Sequence, residues 1–216
     1  MQVIQAHTII LDELDGQAIL KKIELVARTC YKSEDKITDE SAPKMVAALI
    51  KRGHEAMLEH VSFSVKFVVD RGISHELVRH RIASFAQEST RYCNYGRTDK
   101  DVTFIEPYFF ETGTPGWMEW MVAMEAAEKA YFNMLGIGHS PQEARSVLPN
   151  SLKTEIVMTA NLREWRHFFK LRAADATGAA HPQMKQVTIP LLEELKTLIP
   201  VVFDDIKIGG VKHGKQ

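Results

Sequence analysis

Between Val61 and Val69 the apolar side chains Val61, Phe63, Val65, Phe67 and Val69 fall on every second position, with Ser62, Ser64 and Lys66 among the residues between. Side chains alternate across an extended strand, so this spacing places one face in a core and leaves the other open. Such a strand requires a sheet covered on one side, and the flanking segments supply the cover. Gln17 to Tyr31 carries Ile19, Ile23, Val26, Ala27 and Cys30 at helical spacing, which makes Cys30 a core residue. Ser41 to Lys51 reads as a second helix, with Pro43 tolerated in its first turn. Val3 to Leu11 and Leu152 to Thr159 read as further strands, and Ser74 is placed to cap a helix that buries Leu77 and Val78. Trp117 to Leu135 predicts a long helix, and Ser140-Pro-Gln-Glu143 is a capping box ahead of a helix bearing Arg145. Asn161 caps the next helix, and His181 to Ile199 is helical with a kink at Pro190. The pattern is α+β: a single domain over 1–216 with a central, mostly antiparallel sheet flanked by helices. A chain of 216 residues is long enough to bury a core of that kind.

The segment Arg79-His-Arg-Ile-Ala-Ser-Phe-Ala-Gln-Glu-Ser-Thr-Arg91 holds three arginines, a histidine and a run of hydroxyl and amide groups without a clear apolar stripe. A guanidinium offers a planar fork of donors that matches phosphate or carboxylate oxygens. From Arg71 to Arg97 five arginines face only Glu76 and Glu88, although the whole chain has 27 basic and 28 acidic residues. The residues alone admit two readings. One is a site for a small anion with several polar edges; the other is an ordinary surface in which Arg81 pairs with Glu88 and Arg79 with Glu76. The helix from Asn161 to Arg172 leaves a similar choice, since Arg163 and His167 share one face that either lines a pocket or meets solvent.

Arg79-His80-Arg81 followed by Ser84, Ser89 and Arg91 resembles the signature of the flavin-dependent thymidylate synthases, six identities at fixed spacing. Gly53-His54-Glu55 with Glu59-His60, Arg145 with Pro149, Asn161-Leu-Arg163, Leu171-Arg172 and His181-Pro-Gln183 resemble that family's other segments. Ala56 and Gln87 depart from the pattern, standing where many members have a hydroxyl residue and a glutamate.

The resemblance implies reductive methylation of dUMP to dTMP, with FAD as cofactor, NADPH as reductant and 5,10-methylenetetrahydrofolate as carbon donor. It implies that Arg91 and Arg145 hold the nucleotide phosphate, with Gln87, Glu88 and Ser89 beside the nucleotide. Arg172 would lie against the pyrimidine carbonyl, so Arg172, Ser89 and His54 stand at the reacting centre, His54 guarding the flavin and folate face. Arg79, His80, Arg81, Glu59, Asn161, Arg163 and His167 would bind the flavin. A homotetramer with active sites shared between subunits is implied as well.

Other chemistries fit the residues less well. His54 and His60 are six apart and His75 and His80 five apart, neither of them the helical i, i+4 spacing of a zinc protease, so no metal site is expected. Gly136-Ile-Gly138 and Gly209-Gly210 lack phosphate-loop context. Cys93 follows Tyr92 among arginines able to lower a thiol pKa, yet it reads more simply as packing, and the resembling family needs no protein nucleophile. With only Cys30 and Cys93, no apolar leader and no membrane-length run, the expectation is a cytoplasmic protein with no membrane contact. The rival reading is a nucleic-acid-binding protein using the Arg79–Arg91 basic patch, against which stand the net charge of −1 and sparse aromatics (Phe85, Tyr92, Tyr95). A flavoprotein of different chemistry, such as an NADPH oxidase, is the other.

Overall fold

The chain opens on two short strands, β1 (Gln2–Ile4) and β2 (His7–Ile10), where one strand over Val3–Leu11 was expected. The break has a cause in pairing. β1 runs parallel to β5 (Thr103–Ile105), with Val3 opposite Phe104, whereas β2 joins a different sheet. The chain changes partners at Gln5 and Ala6. Then follow α1 (Gly16–Thr29), α2 (Ser41–Lys51), β3 (Ser62–Asp70), α3 (Arg71–Leu77), β4 (Ser84–Gln87) and β5, and after them α4 (Pro115–Gly136), α5 (Pro141–Ala144), β6 (Lys153–Asn161), α6 (Leu162–Arg172) and α7 (Pro182–Leu198). This computed structural model describes residues 1–91 and 102–209, so the expectations for Tyr92, Cys93 and Tyr95 lie outside the described residues.

The larger sheet has the order β2-β3-β6-β4 and is mostly antiparallel, as the α+β expectation required. In the β3–β6 ladder Leu162 N donates to Val61 O (2.9 Å), and Arg71 N donates to Leu152 O (3.1 Å). One number rises as the other falls, which is the antiparallel signature. The alternation in β3 is realised: Phe63, Val65, Phe67 and Val69 are buried, while Ser62 is exposed and Ser64 and Lys66 are partly so.

Contacts gather the chain into two compact units. The first holds Met1–Ile9, Lys66–Arg81 and the described part of Phe85–Met158. Its core sets Trp120, Met124 and Tyr131 of α4 against Phe104, Val102 and Leu152. Thr114 caps α4 by accepting a bond from Trp117 N, with Pro115 in the first turn, so this long helix follows its local signals.

The second unit holds Ile10–Val65, Ile82–Ser84 and residues 159–209. Its centre is aromatic. Trp165 stacks on Phe63 with ring centroids 4.9 Å apart and meets Phe168 edge to face, while Phe169 meets Phe203 edge to face. The Trp165 indole N–H donates to Phe63 O at 3.3 Å, so the ring is buried without an orphaned donor.

Several local expectations need correction. α3 begins at Arg71, because Asp70, not Ser74, is its cap; the Asp70 carboxylate accepts from Ile73 N at 2.8 Å. Both residue types cap helices, and the one at the strand end comes first. The helix also stops at Leu77, leaving Val78 exposed where burial was expected. The buried side of α1 is Leu20, Ile23, Glu24, Ala27 and Arg28, a stripe rotated from the expected one, so Cys30 is exposed and not core. The helix begun by the Ser140–Glu143 capping box is a single turn, passing into a 3-10 turn over Arg145–Val147 before Leu148 and Pro149. α7 contains Pro190, which is exposed. Among the described residues no helix is long and apolar enough to cross a membrane.

Candidate active site

The Arg79–Arg91 stretch is a turn followed by β4 and a second turn, which explains its lack of helical periodicity. In the first unit β4 lies beside β6, and Glu88 N donates to Glu155 O at 2.9 Å. Glu88 pairs with Lys153 (3.1 Å), a partner the sequence reading did not consider. Burial alone would depress the Lys153 ammonium, but Glu155 and Glu88 outweigh it and hold its pKa above the ordinary lysine value. Lys153 and Lys66 in turn hold the Glu155 carboxyl below the usual range, against a smaller effect of burial.

Gln87 spends its amide hydrogens inward, on Ser74 Oγ (2.9 Å) and Thr154 Oγ1 (3.2 Å). Ser74 and Thr154 are fully buried, and the Ser74 hydroxyl donates to Arg71 O at 2.9 Å, so its lone pair is what receives Gln87. Thr154 Oγ1 also accepts from Arg71 Nη1 at 3.4 Å. Ser89 Oγ accepts from the Arg91 backbone N–H (3.3 Å), and Arg91 Nε donates to Gln142 Oε1 (3.0 Å). Arg145 Nη1 donates to the hydroxyl of Thr90, which is buried.

These bonds frame a cavity of about 250 Å³ in the first unit, lined by Arg71, His75, Thr90 and Arg145 with Leu148 and Leu152 as apolar wall. Among the described residues no carboxylate lines it. Among the described residues neither Arg71 nor Arg145 has an acidic partner; each guanidinium is held by a neutral hydroxyl. Cations that are positioned but not neutralised, facing one cavity, make an anion site. Arg145 was expected there. Arg71, His75 and Thr90 were not, and the only sequence signal for Arg71 was its contribution to the local excess of arginine. Arg79 and Arg81 are exposed, and His80 is buried at the end of the turn, its N–H bonded to Leu77 O.

The second unit has a cavity of about 420 Å³, lined by Arg28, Tyr31, Arg52, His54 and Arg163 together with apolar groups such as Leu49. His54 owes its position to the end of α2. Gly53 adopts φ +73°, Gly53 N donates to Ile50 O and His54 N to Leu49 O, a Schellman closure that favours a residue without a Cβ. The 3-10 helix Glu55–His60 then delivers Glu59 to Arg163, 2.5 Å away. Glu59 keeps the Arg163 guanidinium above its ordinary pKa. Both groups are about half exposed, so a ligand can displace this pair at little cost.

Asn161 caps α6, its side-chain oxygen accepting from Glu164 N at 2.9 Å. Asn161→Ala is therefore expected to cost about 1 kcal/mol of stability with or without ligand, and Asn161→Asp far less; chemical denaturation of the ligand-free protein checks this. His167 is exposed on α6, and Arg172 closes that helix, its carbonyl accepting from Thr188 Oγ1 at 2.8 Å.

Beneath this surface lies Arg166, 1% exposed, on the helix face that also buries Trp165 and Phe169. It donates to Glu55 Oε1 (3.0 Å), to both Asp205 oxygens (2.7 and 2.8 Å) and to the Val202 carbonyl. A charge on a buried stripe requires such partners, and that was the available signal.

A sequence profile described as "Thymidylate synthase complementing protein" matches residues 14–201. The chain belongs to the flavin-dependent thymidylate synthase family. The flavin-dependent thymidylate synthase of Pyrococcus abyssi (strain GE5 / Orsay) is 34% identical over 164 residues, covering 76% of this chain and 66% of that protein. The chain thus spans just under two thirds of that relative's length. The one from Mycobacterium sp. (strain JLS) is 31% identical, covering 94% of this chain and 86% of that protein. Among solved structures, the UMP/dUMP methylase PolB from Streptomyces cacaoi bound with 5-Br dUMP superposes with a TM-score of 0.77 at 25% identity, covering 94% of this chain and 96% of that one. The family match takes in every residue discussed from His54 to Arg172, whereas Val202 and Asp205 fall beyond its end.

Proposed function

We propose that the protein converts dUMP to dTMP by reductive methylation, with FAD as cofactor, NADPH as reductant and 5,10-methylenetetrahydrofolate as carbon donor. The observation that carries this reading is the cavity faced by Arg71 and Arg145, which no carboxylate lines among the described residues, in a chain of this family. There Arg145 and Arg91 hold the nucleotide phosphate, and Gln87, Glu88 and Ser89 border the nucleotide. Arg172 presents a cation to the pyrimidine carbonyl, where negative charge develops.

The donor set suits a flavin dinucleotide, since the exposed Arg79 and Arg81, and Arg163 in its weak surface pair, are cations accessible to a pyrophosphate. Arg79, His80, Arg81, Glu59, Asn161, Arg163 and His167 would hold it. Asn161 contributes through its amide N–H₂, because its oxygen is spent on the helix cap. When bound, the flavin supplies the hydride equivalents, so Ser89 acts as a ligand contact and no protein nucleophile is required. His54 shields the face on which folate meets the flavin. The working form in this reading is a cytoplasmic homotetramer with active sites shared between subunits.

The test is dTMP formation from dUMP and methylenetetrahydrofolate by purified protein with FAD, with and without NADPH. Product that depends on NADPH is the expected result. Equal product without NADPH would make the folate the electron source, and no product under either condition would overturn the reading in favour of nucleic-acid binding.

A further inference from the structure

We propose that Arg71, with His75 beside it, is a further cation, added to Arg145 and Arg91, of the seat for the dianionic phosphate of a nucleoside monophosphate; this rests on the nucleotide reading given above. Arg71 enters the cavity directly from the end of β3, and two backbone bonds fix its position, from Arg71 N to Asn150 O (2.9 Å) and to Leu152 O (3.1 Å). No ion pair joins it to its neighbour Asp70 among the described residues; the Asp70 carboxylate caps α3, accepting from Ile73 N at 2.8 Å. One guanidinium nitrogen rests on the buried Thr154 hydroxyl, and the rest of the fork remains for the cavity that it lines.

Arg145 repeats the arrangement from the other direction, with Thr90 in place of Thr154. Two unneutralised guanidiniums on one cavity of about 250 Å³ repel one another until an anion arrives. A carboxylate would balance only one of them. A phosphate monoester carries close to two negative charges near neutral pH and three oxygens that each accept more than one hydrogen bond, so it can engage both forks and the imidazole N–H together with Arg91. Arg71 also shares Thr154 Oγ1 with Gln87, so the residue that grips the phosphate is tied to one beside the nucleotide.

The test titrates dUMP, and deoxyuridine as the phosphate-free control, into the unsubstituted protein and into Arg71→Gln, Arg71→Lys and Arg145→Ala by calorimetry. Arg71→Gln is expected to weaken dUMP about 10- to 100-fold while leaving deoxyuridine affinity and flavin content unchanged, with Arg71→Lys between. Arg71→Gln within twofold of the unsubstituted protein, beside a weakened Arg145→Ala, overturns the role of Arg71 alone. Equal losses for dUMP and deoxyuridine overturn it too, since they mark a structural effect. If the unsubstituted protein binds dUMP no tighter than deoxyuridine, the nucleotide reading falls with it.

Discussion

Arg145→Ala is expected to abolish useful affinity for dUMP while leaving bound flavin in place. The guanidinium faces the cavity from a short 3-10 turn and, among the described residues, is tethered only to the Thr90 hydroxyl, which leaves it available to a ligand. A charge-assisted contact to phosphate contributes about 2–4 kcal/mol, which corresponds to roughly 30- to 700-fold in affinity. The loss should appear in kcat/KM for dUMP and in the calorimetric Kd, with the melting temperature of the ligand-free protein unchanged. A variant with normal dUMP affinity would show that the phosphate sits elsewhere.

Arg166→Met is expected to have the largest effect on stability. The substitution removes a fully buried cation that satisfies Glu55, Asp205 and the Val202 carbonyl together, and it leaves Glu55 in a mostly buried setting without its main partner. Breaking one side of a buried ion pair costs about 3 kcal/mol or more, a fall of roughly 6–12 °C in melting temperature for a chain of this size. Arg166→Lys restores the charge but not the fork, and belongs between. Acid supplies an independent check. Arg166, more than burial opposes it, holds the Asp205 carboxyl below the ordinary range. A depressed carboxylate contributes stability that is complete above its unfolded value of about 4 and disappears as the pH falls through the lower folded value. The gap in melting temperature between the two proteins should therefore be full at pH 7 and narrow below about pH 4; a gap independent of pH would assign the loss to packing.

Much of this architecture could be read from local chemistry. β3 followed from its alternation, Asn161 caps α6 as its position implied, and the capping box at Ser140 is present. Failures arose where a remote partner decided. Nothing between Val3 and Leu11 signals that the first residues pair with Thr103–Ile105, about a hundred positions away. Cys30 fell on the wrong side because α1 buries the paired Glu24 and Arg28, whose salt bridge of 2.7 Å lets two charged residues occupy a stripe that apolar counting denies them. The site divides in the same way. The Arg79–Arg91 stretch stood out by its composition, and Arg145 by the resemblance of its segment to the family's. Arg71 needed the antiparallel return of β6, which brings Thr154 within reach, before it could be distinguished from any other arginine at a strand end.

The grip of Arg166 on Val202 and Asp205 reaches past residue 201, where the family match ends. Positions 166 and 205 are then expected to covary across relatives: lineages lacking an acid at 205 should have an uncharged residue at 166 or recruit a carboxylate from another segment. The segment after residue 201 thereby becomes a heritable constraint on an interior side chain: a chain trimmed to residues 14–201 would keep Glu55 against Arg166 but lose the Asp205 carboxylate and the Val202 carbonyl that share the buried charge.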